Sequence, residues 1–246
     1  MEEKSLSSGY QLAWWGLVIG LISLVTLLSS PIGYRAGLYG HRSAFTIMEF
    51  AAYGGVSGII LTVTGFMFSL KGPRRAQLLA AAGFVASYFA FHIPWSLYSG
   101  AREFPAINDI TTDTNNPPAF ASLAQIRKST GARIDYPWSD AAGEQANAYP
   151  DIKPLLLDKG LDAAFDGALD AANEMDWDIS SSDKAAGRIE ATDTTFWYGF
   201  KDDIVIGLTP VDSKTRLDVR SASRVGKGDA GKNAERIREY LNSISK

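Results

Sequence analysis

The 246-residue sequence contains no cysteine and only two histidines, His41 and His92, both within its first hundred residues. Without cysteine the chain forms no disulfides or thiolate metal sites and has no cysteine nucleophile. From residue 101 onward histidine is absent too, which removes Ser-His-Asp catalysis and ordinary zinc hydrolysis. These absences predict no metal site and no cofactor, and they favour binding over catalysis.

Negative charge outweighs positive charge in the second part of the chain. Residues 105–246 carry 17 Lys and Arg against 23 Asp and Glu, a balance of −6. A nucleic-acid-binding domain needs a basic stripe on its surface. The composition therefore argues against nucleic acid as a partner.

The first hundred residues contain three long apolar runs, at 12–29, 46–70 and 78–99. A helix of about 20 apolar residues crosses the hydrocarbon core of a bilayer. We therefore expect residues 1–100 to form three transmembrane helices embedded in lipid.

Small residues recur within these runs at a spacing of four, as Gly16/Gly20 and Gly54/Gly58. Such pairs let helix backbones approach closely. They predict either a compact three-helix bundle or, alternatively, a homo-oligomer face.

Positive charge in the short loops predicts the orientation of the spans. Lys71, Arg74 and Arg75 cluster between the second and third runs, whereas Arg35 and Arg42 are spread over the first loop. The cluster is expected inside the cell. Three spans then place the C-terminal domain outside the inner (plasma) membrane, in the periplasm of a Gram-negative cell.

Residues 101–157 are rich in Pro, Asn, Asp and Thr, and the run Asn115-Asn116-Pro117-Pro118 interrupts regular structure. We expect an extended, irregular segment that packs on the domain, with a short helix at 119–128.

Residues 158–246 alternate between helical and strand patterns. Apolar residues at spacings of three and four predict helices at 161–172 and 233–243. Strands are expected at 177–180, 187–192, 196–200, 203–208 and 215–221. Because the connections are short, three to five strands should form an antiparallel meander. The fold class is therefore α+β: three transmembrane helices followed by a two-layer domain of antiparallel sheet packed by helices.

A glycine-rich turn precedes the last helix. Gly226, Gly228 and Gly231 match the dinucleotide fingerprint G-x-G-x-x-G, but that site needs a βαβ unit and an acidic residue about 20 positions further on. Only 15 residues follow Gly231. A phosphate-binding loop needs Ser or Thr where this chain has Asn233. We therefore expect no nucleotide cofactor.

Three basic residues, Arg220, Arg224 and Lys227, lie in or before this turn. A helix N-terminus presents free N–H groups, so the turn and these side chains predict an anion-binding site. The alternative is that the arginines pair internally with carboxylates. The candidate partners are Asp109, Asp113, Asp202 and Asp203.

Separated motifs in the second part of the chain carry a family resemblance. They are Pro105-Ala-Ile-Asn-Asp109, Pro117-Pro118-Ala-Phe120, Tyr149-Pro150-Asp151-Ile152, Arg188-Ile-Glu190-Ala191, Phe200-Lys-Asp202-Asp203, Asp218-Val-Arg220-Ser221 and Asp229-Ala-Gly231-Lys-Asn233. In this order they resemble the family called domain of unknown function 1499, over about residues 104–244. The resemblance implies no established activity. Asn108 stands where the family pattern has His, so the resemblance implies no metal ligand or base there.

A second likeness is architectural. Residues 165–191 are similar to the helix-grip domains of an outer-membrane assembly lipoprotein, which implies a binding or scaffold module.

The leading interpretation is a membrane-anchored exported binding or interaction domain, whose partner is an anionic ligand or an envelope protein. One alternative is a cell-envelope enzyme acting on glycan or lipid through Asp carboxylates. Another is an accessory subunit of a membrane complex.

Overall fold

The structure, a computed structural model, describes the backbone of residues 2–245 and the side chains of residues 8–137 and 142–245. The chain divides into two compact units, the helical unit Met1–Gly100 and the C-terminal domain Ala101–Lys246.

The helical unit consists of α1 (Glu2–Arg35), α2 (His41–Phe68) and α3 (Arg74–Ala101). All three are long and apolar enough to cross a membrane, α1 over Ser8–Arg35. The prediction of three such helices is confirmed, and they indicate a membrane protein.

Glycines bring the three helices into close contact. A Cβ at Gly20 or Gly58 would clash with Ser87 Oγ of α3, and Gly16 and Gly54 face neighbouring helices in the same way. Both glycine pairs therefore serve contacts within the unit, the first of the two alternatives. A homo-oligomer face at these positions stays a prediction.

The C-terminal domain is built on a six-stranded antiparallel sheet in the order β1-β6-β5-β4-β3, with β2 also paired to β6. Its strands are β1 (Asp109–Thr111), β2 (Leu155–Leu157), β3 (Asp178–Asp183), β4 (Arg188–Thr194), β5 (Lys201–Val211) and β6 (Lys214–Ser223). Strands β3 to β6 form the expected meander, because each pairs with the next along the chain.

Four helices accompany the sheet: α4 (Ser122–Thr130), α5 (Trp138–Ala148), α6 (Leu161–Glu174) and α7 (Lys232–Ile244). The apolar stripes of α6 and α7 bury Phe165 and Ile237 in the main core with Ile204 of the sheet. Tyr240 of α7 donates a hydrogen bond to the Ala168 carbonyl at 2.8 Å. The α+β class with helices packed on an antiparallel sheet is confirmed.

The opposite face of the sheet is covered as well. Phe120 and Leu123 of the segment around α4 pack against Val205 and Ala222. Strand register places Glu190 and Arg220 on either side of Val205 on this face. The face therefore carries charged side chains that must find partners beneath the covering segment.

Residues 101–157 are more regular than expected. Strands β1 and β2 have three residues each, too few to show alternation in the sequence, and both pair with β6. Helix α5 was not expected, whereas α4 lies close to the predicted 119–128.

Gln145 of α5 completes the outer edge of β1. Its Nε2 donates to the Thr111 carbonyl at 2.6 Å, and its Oε1 accepts the Thr111 N–H at 3.0 Å. The side-chain amide thus takes the place of a neighbouring strand.

The predicted strand at 196–200 is wrong. These residues form a turn between β4 and β5, closed by hydrogen bonds from Thr195 N to Phe200 O and from Gly199 N to Thr195 O. Gly199 has a φ of +71°, which glycine adopts readily. The turn geometry therefore overrides the strand preference of the aromatic residues.

Candidate functional site

The glycine-rich turn carries its own anion. Asp229 Oδ1 accepts the Gly231 N–H at 2.9 Å, and Oδ2 accepts the Asn233 N–H at 2.8 Å. Gly231 has a φ of +77°, and a Cβ there would lie 2.6 Å from the Phe104 ring. Position 231 therefore requires glycine, and the first N–H groups of α7 are occupied by a carboxylate of the same chain.

Burial raises the pKa of Asp229 above its ordinary value, and the negative charge of Asp202 raises it further. The N–H groups of Asn233 and Gly231 lower the pKa but do not offset the burial. The fold therefore holds the pKa of Asp229 above that of an exposed aspartate.

Arg220 and Asp109 form a buried, two-pronged ion pair. Arg220 Nε donates to Oδ1 and Nη2 to Oδ2, each at 2.8 Å. The guanidinium also donates to the Ile134 carbonyl at 2.9 Å and lies 4.7 Å from the centre of the Phe120 ring. The pair forms because β1 lies beside the end of β6, with Asp109 opposite Ala222.

Asp203 is fully buried between two arginines. Arg127 Nη1 donates to Oδ2 at 2.7 Å, and Arg224 Nη2 donates to Oδ1 at 2.7 Å. Thr192 adds a hydrogen bond from Oγ1 at 2.9 Å. Burial lowers the pKa of Arg127, and the charge of Asp203 acts in the opposite direction.

The other two predicted carboxylates are also paired. Asp202 Oδ2 accepts from Arg236 Nη2 at 2.8 Å on the face that α7 covers. Asp113 accepts from Arg216, a half-exposed arginine of β6. Burial raises the pKa of Asp113, but the N–H groups of Asn115 and Asn116 and the Arg216 guanidinium outweigh it, so the net pKa is lowered.

Sequence reasoning missed four charged residues of this arrangement: Arg127, Glu190, Arg216 and Arg236. The Glu190 carboxylate accepts the N–H groups of Ala121 and Leu123 at 2.7 and 2.8 Å and so caps α4 from the sheet. Glu190 stands between the apolar residues Ile189 and Ala191, and this alternation is typical of an ordinary half-exposed strand. Its partners are 67 to 69 residues away in sequence, so no local pattern reveals them.

The structure brings four of the predicted site residues together on the face that α4 covers, because Asp109 and Asp203 lie on either side of Ala222 and pair with Arg220 and Arg224. They are buried in ion pairs rather than open to a cleft, and Asp202 lies on the opposite face with Arg236. Lys227 is exposed on the glycine-rich loop. Binding of an external anion by these residues stays a prediction. Within the described residues, no group of three His, Cys, Asp or Glu side chains is placed to hold a metal ion.

A shallow groove of roughly 200 Å³ lies along α6 beside the end of α7. Ala163, Gly167 and Ala171 form its α6 side, and Leu157 and Ile244 add apolar surface. Its charged margin consists of Lys159, Asp170 and Glu174.

These features define a class: an α+β domain of sheet and helices, with buried ion pairs, that follows three helices long and apolar enough to span a membrane. The family described as "Protein of unknown function (DUF1499)" matches residues 109–244, more than half of the 246 residues. The chain belongs to this family, and the resemblance noted in the sequence is confirmed. None of the curated proteins compared with the chain matches it.

The Arg220–Asp109 pair gives a first prediction. Arg220→Met or Asp109→Leu alone leaves a buried charge without its partner and should lower the free energy of unfolding by about 3–5 kcal/mol. The double variant should lose much less than the sum, because neither charge remains. Urea unfolding of the full chain in mild detergent, monitored by hydrogen exchange of β6, gives the loss in free energy of unfolding for the two single variants and the double variant. Additive losses would contradict the pairing.

Asp229 gives a pH prediction. Because its folded pKa is raised above the unfolded value of about 3.9, its contribution to stability is fully present below about pH 3.9. It is lost as pH rises through the folded pKa. Asp229→Asn does not titrate. The stability of the wild type relative to this variant should therefore fall with rising pH across that window and then level off. Urea unfolding over a pH series tests this, and a pH-independent difference would refute it.

Proposed function

We propose that the chain is a membrane-anchored exported domain that acts by binding a segment of another envelope protein, and not by catalysis. The observation that carries the proposal is the pairing of Asp109, Asp202 and Asp203 with arginines in buried ion pairs.

A catalytic carboxylate must reach the proton or the atom that it attacks. A glycosidase needs two such groups facing an open cleft. Asp109 and Asp203 are instead buried, and arginine occupies their oxygens. The pairing therefore argues against an envelope enzyme that uses these residues.

Asp229 is the carboxyl group that most resembles a general acid, because burial and the nearby charge of Asp202 raise its pKa. Both oxygens of Asp229, however, accept N–H groups at the start of α7. This geometry supports a helix cap rather than a general acid.

The groove along α6 offers an open surface instead. Gly167 and Ala171 have small or no side chains, so a partner backbone can approach α6 closely. Acidic residues recur along α6 at every fourth position, as Asp162, Asp166, Asp170 and Glu174. This spacing places them on one side of the helix. The charge favours a partner segment with basic residues facing this ridge and small apolar residues in the groove.

The inference that the domain is exported rests on the positive charge of the loop between α2 and α3, where Lys71, Arg74 and Arg75 cluster. With three spans, the domain then lies across the membrane from this loop.

The absence of cysteine makes this topology directly testable. Val211→Cys places a thiol on the exposed end of β5, and Pro73→Cys places one in the α2–α3 loop without altering its charges. In intact spheroplasts, a membrane-impermeant maleimide should label Val211→Cys, and Pro73→Cys should react only after permeabilisation. The reverse pattern would place the domain inside the cell.

Binding through the groove is tested by filling it. Gly167→Leu adds a side chain where a Cβ meets nothing within 4 Å, so the fold should tolerate it while a partner should not. Gly143→Leu is the matched control, since Gly143 is also a helical glycine with open space around it, at an exposed position of α5. Native mass spectra of full-length protein released in gentle detergent should show a bound polypeptide for wild type and Gly143→Leu. Gly167→Leu should lose it.

Other outcomes of the same spectra separate the alternatives. A polypeptide that survives Gly167→Leu would move the contact away from the groove and favour an accessory subunit of a membrane complex. A lipid- or glycan-sized adduct that disappears in Arg224→Ala would favour an anion site at the glycine-rich turn.

A further inference from the structure

Three chain segments meet at one end of the sheet, called here the exit end: 104–108, 195–200 and 224–231. Ser223 N donates to Asn108 O at 2.9 Å, which joins the first and third segments. Asp202 lies opposite both Asp193 and Ser223, so the turn between β4 and β5 extends from the same end.

Only a short stretch of chain connects α3 to the exit end, which limits the distance between the exit end and the membrane. Helix α3 ends at Ala101, and Phe104 follows three residues later. An extended chain covers at most about 3.6 Å per residue, so Phe104 lies within about 11 Å of the end of the third span in any orientation of the domain. Phe104 packs against Gly231, and Ala106 lies against Gly228. The glycine-rich loop is therefore held near the same point.

The turn between β4 and β5 presents an aromatic ring at this end. Phe196 is 90% exposed. Behind it, the Tyr198 and Phe200 rings stack at 4.9 Å, and Tyr198 is buried. The turn is therefore held by its own aromatic residues while Phe196 projects outward. Phe is among the apolar side chains that interfacial segments bury at the boundary between headgroups and acyl chains.

Two cations accompany Phe196. Lys201 begins β5, and Lys227 lies at the centre of the glycine-rich loop, both exposed. Arg224 N donates to Lys201 O at 3.0 Å, which places the two loops side by side. Exposed lysines near a bilayer are attracted to anionic headgroups.

We propose that the exit end docks on the lipid surface of the membrane that anchors the chain, with Phe196 among the headgroups and Lys201 and Lys227 facing lipid phosphates. The tether, the exposed ring and the two lysines converge on one end of the sheet. This surface is separate from the groove along α6, so the inference does not depend on the proposed function.

The test uses the full chain in phospholipid nanodiscs, with one nitroxide label at Phe196→Cys or at Val211→Cys. No native cysteine competes for the label. Val211 is the matched control, an exposed apolar residue at the opposite end of the sheet. Collision rates with oxygen and with a water-soluble nickel chelate are measured for each label. The oxygen-to-nickel ratio at position 196 should exceed that at position 211 several-fold.

Two results would overturn the proposal. Equal ratios at both positions would show that position 196 lies in water. Low collision rates with both reagents at position 196 would show that protein, such as a second copy, covers this position. Lys201→Glu with Lys227→Glu tests the charges. In nanodiscs containing phosphatidylglycerol, this double variant should lower the oxygen-to-nickel ratio at position 196. An unchanged ratio would show that the two lysines do not contribute to the contact with lipid.

Discussion

The Asp203 carboxylate joins three parts of the C-terminal domain that are distant in sequence. It lies in β5, yet its partners come from α4 through Arg127 and from the end of β6 through Arg224. A buried carboxylate is tolerated only when its oxygens are satisfied. The covering segment therefore has to lie where Arg127 reaches Asp203, and Glu190 fixes the start of the same helix. Replacing such pairs with apolar residues is often neutral for stability, whereas breaking them is costly. Their contribution here is to specify one position for the covering segment around α4.

Much of the fold could be predicted from the sequence, because the patterns that mark its helices and strands lie within single elements. Apolar spacing located α6 and α7, and alternation located β3 to β6, since each pattern repeats within a single element. The short strands β1 and β2 could not be predicted, because three residues are too few to show the alternation of apolar and polar residues that marks a strand. The turn at 196–200 was misread, because strand preference reflects packing against neighbours that a turn does not have.

The candidate site was predictable only in its components. The presence of Arg220 and Asp109 was visible, and their pairing was one of two interpretations left open. Arg127 and Arg236 were not found, because each reaches its carboxylate across the fold from a helix whose own pattern predicts only amphipathic packing. Glu190 caps a helix that begins 68 residues before it, and such partners emerge only when strand register and helix position are both known.

The Gln145 amide affects whether neighbouring copies of the protein can pair their sheets at the β1 edge. Chains anchored in one bilayer meet at high local concentration and with restricted orientation, conditions under which an open sheet edge recruits a neighbouring strand. Gln145 occupies the backbone groups of Thr111 at the β1 edge. At the other edge, β3 carries a register shift after Ile179 and an aspartate at each end. Both features remove positions at which a strand of a neighbouring copy could add to the sheet, one at β1 and the other at β3.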